Sequence, residues 1–301
     1  MSRTFQEAFL ENPYSNGYPP DQLYQCNNLL ALERRIRAKK IKRIGLYYEM
    51  LCHYLLCHMA GNEVLLLNRQ VIIGGRTYGE IDQLYRIIGN KQLVHKELAV
   101  KFYLGLINDV NAETYWVGPN IKDRLDIKLN HLVQHQLRLT QDEVVKHWLA
   151  DMNIESEIRV EAQLQGYLFY PFDIKCSAPN FSNPEHLQGI WITHSQIDLW
   201  SDTLDEKSYV VCLDKFDWFS GQNLYYTVDI LNRIHYRNRS ENAKYCHDQV
   251  VLQNRPLMFE VYAMCRDSHT KNKRIFIVDD KWPEKALGFV QSIPNRTKSE
   301  L

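Results

Sequence analysis

Leu93-Val-His-Lys-Glu-Leu-Ala-Val-Lys-Phe-Tyr-Leu104 alternates as a β-strand does. Successive strand side chains point to opposite faces. Val94, Leu98, Val100, Phe102 and Leu104 therefore share an apolar face with Lys96, while His95, Glu97, Ala99, Lys101 and Tyr103 share the other. The preceding run, Tyr78 to Ile88, carries Glu80, Asp82, Leu84 and Arg86 on one side, and Gly89-Asn90-Lys91 between the two is a turn signal. An antiparallel hairpin is predicted. With that turn as pivot, Asp82 falls opposite Leu98 or Ala99. In the second register Glu97 and Lys101 become its diagonal neighbours, and Glu80 faces Lys101 directly.

Two or three carboxylates and a lysine would then converge. Such a group binds a hard divalent cation through oxygen, Mg²⁺ (or Mn²⁺) being the natural choice. The metal would polarise a phosphoryl oxygen and activate a water, and the lysine would stabilise charge in the transition state. A cross-strand ladder of ion pairs on a solvated face accounts for the same spacing without any function. Upstream, Glu49 closes the run Arg-Ile-Gly-Leu-Tyr-Tyr-Glu, with Gly45 four residues earlier on the same helical face. A glycine there leaves room for a strand or ligand beside the carboxylate.

A helical glutamate, Gly79-Glu-Ile-Asp82, and a strand carrying Glu-x-x-x-Lys101 together resemble the PD-(D/E)XK nuclease superfamily. More closely, the chain is similar to a bacterial family of unknown function near that superfamily, through RIGLYYE, GEIDQLYR, HKELAVKFYLG, WVGPN, LDIKLNHL, GYLFYP, HLQGIW and RIFIVDDKWP. The resemblance implies a restriction-endonuclease-like mixed sheet flanked by helices, and Mg²⁺-dependent hydrolysis of nucleic acid, with DNA ranked ahead of RNA as the partner. It assigns Glu49, Asp82 and Glu97 or Glu80 to the metal, and Lys101, Asp82 and Glu97 to catalysis. One departure stands out: two residues before Lys101 the superfamily carries an acid, and here stands Ala99. If neither Glu97 nor Glu80 substitutes, the expected function is a catalytically inactive module that binds nucleic acid or a protein partner.

Working outward, residues 33 to 43 hold Arg34, Arg35, Arg37, Lys39, Lys40, Lys42 and Arg43 against the single acid Glu33. This stretch reads as a phosphate contact or a solvated helix face. Apolar residues from Leu29 to Leu55 recur at helical spacing, and Gly61-Asn62 stops the run. Short strands follow at Val64 to Leu67 and Gln70 to Ile73. Residues 108 to 120 read as a loop, Ile121 to Leu137 as a helix, and Thr140-Gln-Asp-Glu143 as a capping box opening another. The second half reads as strands at Glu157 to Leu164, Tyr167 to Phe172, Tyr209 to Phe216, Leu257 to Met264 and Arg274 to Asp279. Lys175 to His186 and Tyr236 to Asn242 read as loops, and Pro283 opens a last helix. The expected class is α/β (α+β), with a nuclease-like domain over 1–150 and a β-rich domain or extension over 151–301.

His131 and His135 are four apart, as zinc ligands on a helix can be, but no Glu follows His131 and surface histidines are commoner. Cys52, His53, Cys57 and His58 also invite a zinc reading, but their spacing puts them around a helix and favours packing. Trp191, Trp200, Trp218 and Trp282 serve either base stacking or the core. No phosphate-binding glycine loop or nucleophile elbow occurs. The 301 residues carry 36 Lys+Arg against 36 Asp+Glu, with 45% hydrophobic and 24% charged, so a core can form and a tail-driven nucleic-acid binder is excluded. Seven scattered cysteines, no apolar leader and no spanning run suggest a cytoplasmic chain with reduced thiols and no membrane partner. Homo-oligomerisation is left open.

Overall fold

The computed structural model describes Ile36 and residues 41–58, 61–108, 113–206, 208–218, 237–263 and 273–293. Among them, nine strands form one mixed sheet flanked by helices, an α+β fold. The strands are β1 (Asn62–Ile73), β2 (Arg76–Ile87), β3 (Leu93–Asn108), β4 (Glu113–Val117), β5 (Ile158–Pro171), β6 (Leu187–Thr193), β7 (Ser208–Cys212), β8 (Leu257–Ala263) and β9 (Lys273–Val278). The helices are α1 (Ile44–His58), α2 (Leu125–Gln134), α3 (Glu143–Ala150), α4 (Ile197–Ser201), α5 (Arg239–Gln253) and α6 (Trp282–Ser292). Sheet order is β1-β2-β3-β5-β6-β9-β8-β7, with β4 paired to β3. Strand β6 runs parallel to β5 and β9, whereas β1–β2, β2–β3, β3–β4, β7–β8 and β8–β9 are antiparallel.

The chain divides into two compact units drawn from interleaved segments: Met1–Lys101, Ile127–Gln165 and Phe181–Glu185; and Phe102–Asp126, Gly166–Asn180 and His186–Leu301. In the first, Leu93 and Val94 are consecutive strand residues, so they point to opposite faces. Val94 joins Tyr85 and Leu56 of α1. Leu93 joins Val71, Ile81 and Leu84 with Leu139, Val145 and Leu149, which come from the 3₁₀ turn Gln136–Gln141 and from α3. Helix α1 is pinned by its Tyr48 hydroxyl, which accepts from Gln163 Nε2 of β5 at 2.9 Å.

The hairpin forms with a register different from either expectation. Gln83 stands opposite Lys96 and Arg86 opposite Leu93. The turn is longer than the three-residue pivot: Ile87 N–H donates to Gln92 O at 2.9 Å, and Asn90 Oδ1 accepts from Gln92 N–H at 3.0 Å. Extrapolated, this register points Asp82 at Glu97, not at Leu98 or Ala99. The ladder stops at Gln83↔Lys96, and there the Asp82 carboxylate itself accepts from Leu98 N–H at 2.8 Å. Glu80 pairs across to Gln70 of β1.

In the second unit, β9 lies between β6 and β8, and α4 and α5 cover one face. Ala243, Cys246 and Val250 of α5 pack with Trp200, Phe259, Ile275 and Ile277. Helix α5 starts inside the segment read as a loop. Asn238 caps it reciprocally with Glu241, but its buried residues, Asn242, Ala243, Cys246 and Val250, are small, and Val251 and Leu252 are exposed, so the helical period is faint. Strand β4 lies in the expected loop 108–120, and β6 was not anticipated; parallel strands lack the alternation that reveals half-exposed ones. The helix after Thr140 is capped by Asp142, whose Oδ1 accepts from Val144 and Val145 N–H. Pro283 does open α6.

Gly189 of β6 permits the close approach of two neighbours. A Cβ there would lie 2.5 Å from the Phe169 ring and 2.8 Å from the Arg274 carbonyl oxygen. Gly189→Ala is expected to destabilise the fold by about 1–3 kcal/mol, read as a lower chemical-denaturation midpoint; an unchanged midpoint contradicts this packing.

Candidate functional site

Four carboxylates nominated by the sequence come within electrostatic reach of one another in the first unit. Glu49 projects from α1, Glu80 and Asp82 from β2, and Glu97 from β3. Burial pushes the Asp82 carboxyl up to about 7, helped by the charge of Glu97 and, less strongly, of Glu49 and Glu80; the Leu98 N–H opposes the shift. Glu49 is also raised, first by burial and then by Glu80 and Glu97, against the pull of Asn68 and Arg43. Asn68 Nδ2 donates to Glu49 Oε2 at 3.4 Å. Asn68 adopts φ +44, a left-handed conformation that asparagine tolerates better than most residues. Gly45 leaves its side open, since a Cβ there would stand 4.0 Å from Glu49 Oε1.

Glu97 is held differently. It is buried, and both oxygens are engaged. Oε1 is 2.8 Å from His95 Nε2, and Oε2 accepts from Gln136 Nε2 at 2.5 Å. His95 Nδ1 lies 3.1 Å from Thr140 Oγ1, and Lys128 Nζ donates to Gln136 Oε1 at 2.8 Å. The network runs Thr140, His95, Glu97, Gln136, Lys128. Sequence reasoning missed these roles. His95 and Glu97, two apart on one strand face, were the available signal, and Thr140, read as a cap, instead anchors the imidazole.

Lys101 lies on β3 and is partly exposed. By strand alternation it shares a face with Ala99 and Glu97. It is not among the charges acting most strongly on Asp82 or Glu49. Lys42 and Arg43 are exposed just before α1, and the Arg43 charge reaches Glu49. Arg34, Arg35, Arg37, Lys39 and Lys40 lie outside the described residues.

Among the described residues, no three of His, Cys, Asp and Glu stand close enough together to hold a metal ion between them. Along α1, burial pushes the Cys52 thiol up to about 12, away from the thiolate that a metal needs. The lack of such a trio among the described residues is a weaker constraint on Mg²⁺, which keeps several waters and takes one or two carboxylates. The donors around Asp82 suit such an ion: all are oxygens, and Asn68 Oδ1, beside Glu49, is buried with no hydrogen-bond partner among the described residues.

The family model for a domain of unknown function, DUF1853, matches residues 17–278. The chain belongs to that family. The DUF1853 match takes in Glu49, Glu80, Asp82, Glu97 and Lys101. Comparison with curated proteins and with solved structures returns no match. Among the described residues of this DUF1853 chain, no helix is long and apolar enough to cross a membrane.

Proposed function

We propose that the chain hydrolyses phosphodiester bonds in nucleic acid, DNA more readily than RNA, with a divalent metal, as its resemblance to the PD-(D/E)XK superfamily implies. The observation that carries this reading is the gathering of Glu49, Glu80 and Glu97 around Asp82, whose carboxyl is pushed up to about 7 by burial first and by their charge second. Carboxylates compressed in this way repel one another until a cation joins them, and perturbed pKa values of this kind concentrate at functional sites.

Asp82, with Glu49 or Glu80, would hold Mg²⁺ or Mn²⁺ and leave its other positions to water, while Glu97, with both oxygens engaged, adds charge to the group. Bound there, the ion would supply a Lewis acid for the phosphoryl oxygen and acidify a water. Asp82 Oδ2 is anchored by the Leu98 N–H, which leaves Oδ1 to face the ligand. Asn68 orients Glu49 in the same way. Lys101 would stabilise charge on the phosphate oxygens in the transition state. Lys42 and Arg43, with the basic residues before them, would contact flanking phosphates.

Purified protein is expected to cut single-stranded, duplex or branched DNA or RNA in Mg²⁺ or Mn²⁺ and not in chelator. Lys101→Ala should lower the rate by about 10²-fold or more. Equal cutting by both proteins would remove Lys101 from the mechanism. A second reading is an inactive nuclease-like module, favoured by Ala99 in the acid position and by the engagement of Glu97. It requires salt-sensitive binding that chelation leaves unchanged, with no cleavage.

A further inference from the structure

Five of the six tryptophans are buried: Trp116, Trp191, Trp200, Trp218 and Trp282. The four that the sequence offered for base stacking are therefore core residues. Trp148 on α3 alone keeps partial exposure. One side of it packs against the core cluster of the first unit. It also lines an open groove of ≈ 460 Å³, whose other walls are Asn68, Arg69, Gln70 and Ile72 of β1 and Glu80 of β2.

The composition of that groove is specific. Trp148 presents a flat aromatic surface from a short helix fixed by its Asp142 cap and by buried Val145 and Leu149. Ile72, 52% exposed, adds apolar surface. Gln70 is exposed and carries an amide that can read a polar ring edge. Arg69 is exposed and makes no ion pair among the described residues. Two walls belong to the carboxylate cluster as well: Glu80 acts on Asp82 and Glu49, and Asn68 donates to Glu49. The volume falls in the range of small-ligand sites.

We infer that this groove takes one nucleotide of a single-stranded nucleic acid, its base against Trp148 and its phosphate at Arg69, beside the carboxylates of Glu49, Glu80 and Asp82. The direction of the strand toward those carboxylates rests on the phosphodiesterase reading; the binding step does not. Stacking on an aromatic side chain tolerates any base, because every base has a π face. A paired base is already stacked in its duplex, so the groove selects unpaired strands.

The test uses the full chain with fluorescently labelled oligo-dT and oligo-rU in chelator, where binding is read without cleavage. Trp148→Ala is expected to weaken binding at least about tenfold, and Trp148→Phe to retain most of it. Arg69→Ala should weaken binding and reduce the salt slope by about 1. An abasic strand of equal length should bind wild type and Trp148→Ala alike. Oligonucleotide should quench tryptophan fluorescence in wild type, and Trp148→Phe should abolish that quenching. A Trp148→Ala chain that binds like wild type overturns the inference, as does full affinity for the abasic strand or no binding by wild type. If Trp148→Ala fails to fold, Arg69→Ala and the quenching difference decide. Metal-dependent cleavage with unaltered Trp148→Ala binding would remove the groove and leave the phosphodiesterase reading. Trp148-dependent binding without cleavage in any metal would do the reverse.

Discussion

Asp82→Asn should lose metal-dependent cleavage by at least about 10²-fold and, at pH 8, yield a more stable protein than wild type. The two effects share one cause. Asp82 is held among like charges and out of water, so its carboxyl titrates at about 7 in the folded chain against an ordinary value of 3.8. Below pH 3.8 the group is protonated in both folded and unfolded chains and costs nothing. As pH rises toward 7 the unfolded chain releases its proton first, so stability falls through that window, and the full penalty is present above it. A one-unit shift is worth about 1.36 kcal/mol. Because the repulsion is shared with Glu97, Glu49 and Glu80, the gain for asparagine at pH 8 is on the order of 2 kcal/mol, vanishing below pH 4. Asparagine Oδ1 can still accept from Leu98 N–H, so the strand contact survives. Mg²⁺ should raise the melting midpoint of wild type at pH 8 and leave the variant unmoved. Calorimetry across pH, with and without the metal, reads all of this. A variant that still cuts, or is less stable at pH 8, would sink the assignment.

Glu260→Gln is expected to cost about 3 kcal/mol or more, although it changes few atoms. Glu260 of β8 and Arg274 of β9 stand directly opposite in the ladder. They are 0% and 1% exposed, with Arg274 Nη2 at 3.4 Å from Glu260 Oε2. Arg274 also donates from Nη1 to the Trp218 carbonyl and lies over the Tyr167 ring, 4.8 Å from its centroid. Neutralising Glu260 would leave a guanidinium charge in a low-dielectric interior facing an amide. Replacing both partners by apolar residues of similar volume, Glu260→Leu with Arg274→Met, should recover most of the loss, because the charge is removed with its counterion. Urea denaturation of the two variants separates these cases. If Glu260→Gln unfolds at the wild-type midpoint, the buried pair does not stabilise the fold.

Much of the first unit was legible. The alternation of Leu93 to Leu104, the Gly89-Asn90-Lys91 turn and the helical spacing through Leu55 correctly indicated β3, its hairpin with β2 and helix α1, since periodicity and turn chemistry are local properties of the chain. The carboxylates Glu49, Glu80, Asp82 and Glu97 could also be nominated, because residue type and strand parity are enough to put them on candidate faces. Their relative placement was not legible. Register depends on how the turn closes through Gln92 and on where the Asp82 carboxylate replaces a ladder bond at Leu98.

Local pattern sufficed for the period of most elements, for the hairpin and for the acidic residues near it. Long-range packing set the rest: Glu97 is held by His95 and Gln136, Arg274 and Glu260 are buried rather than solvated, and Trp148 is the tryptophan left partly exposed. The physical reason is the same in each case. Local pattern sets which way a side chain leaves its own backbone, but burial and pairing depend on what distant segments bring against it, as the 3₁₀ turn brings Gln136 to Glu97 and β9 brings Arg274 to Glu260.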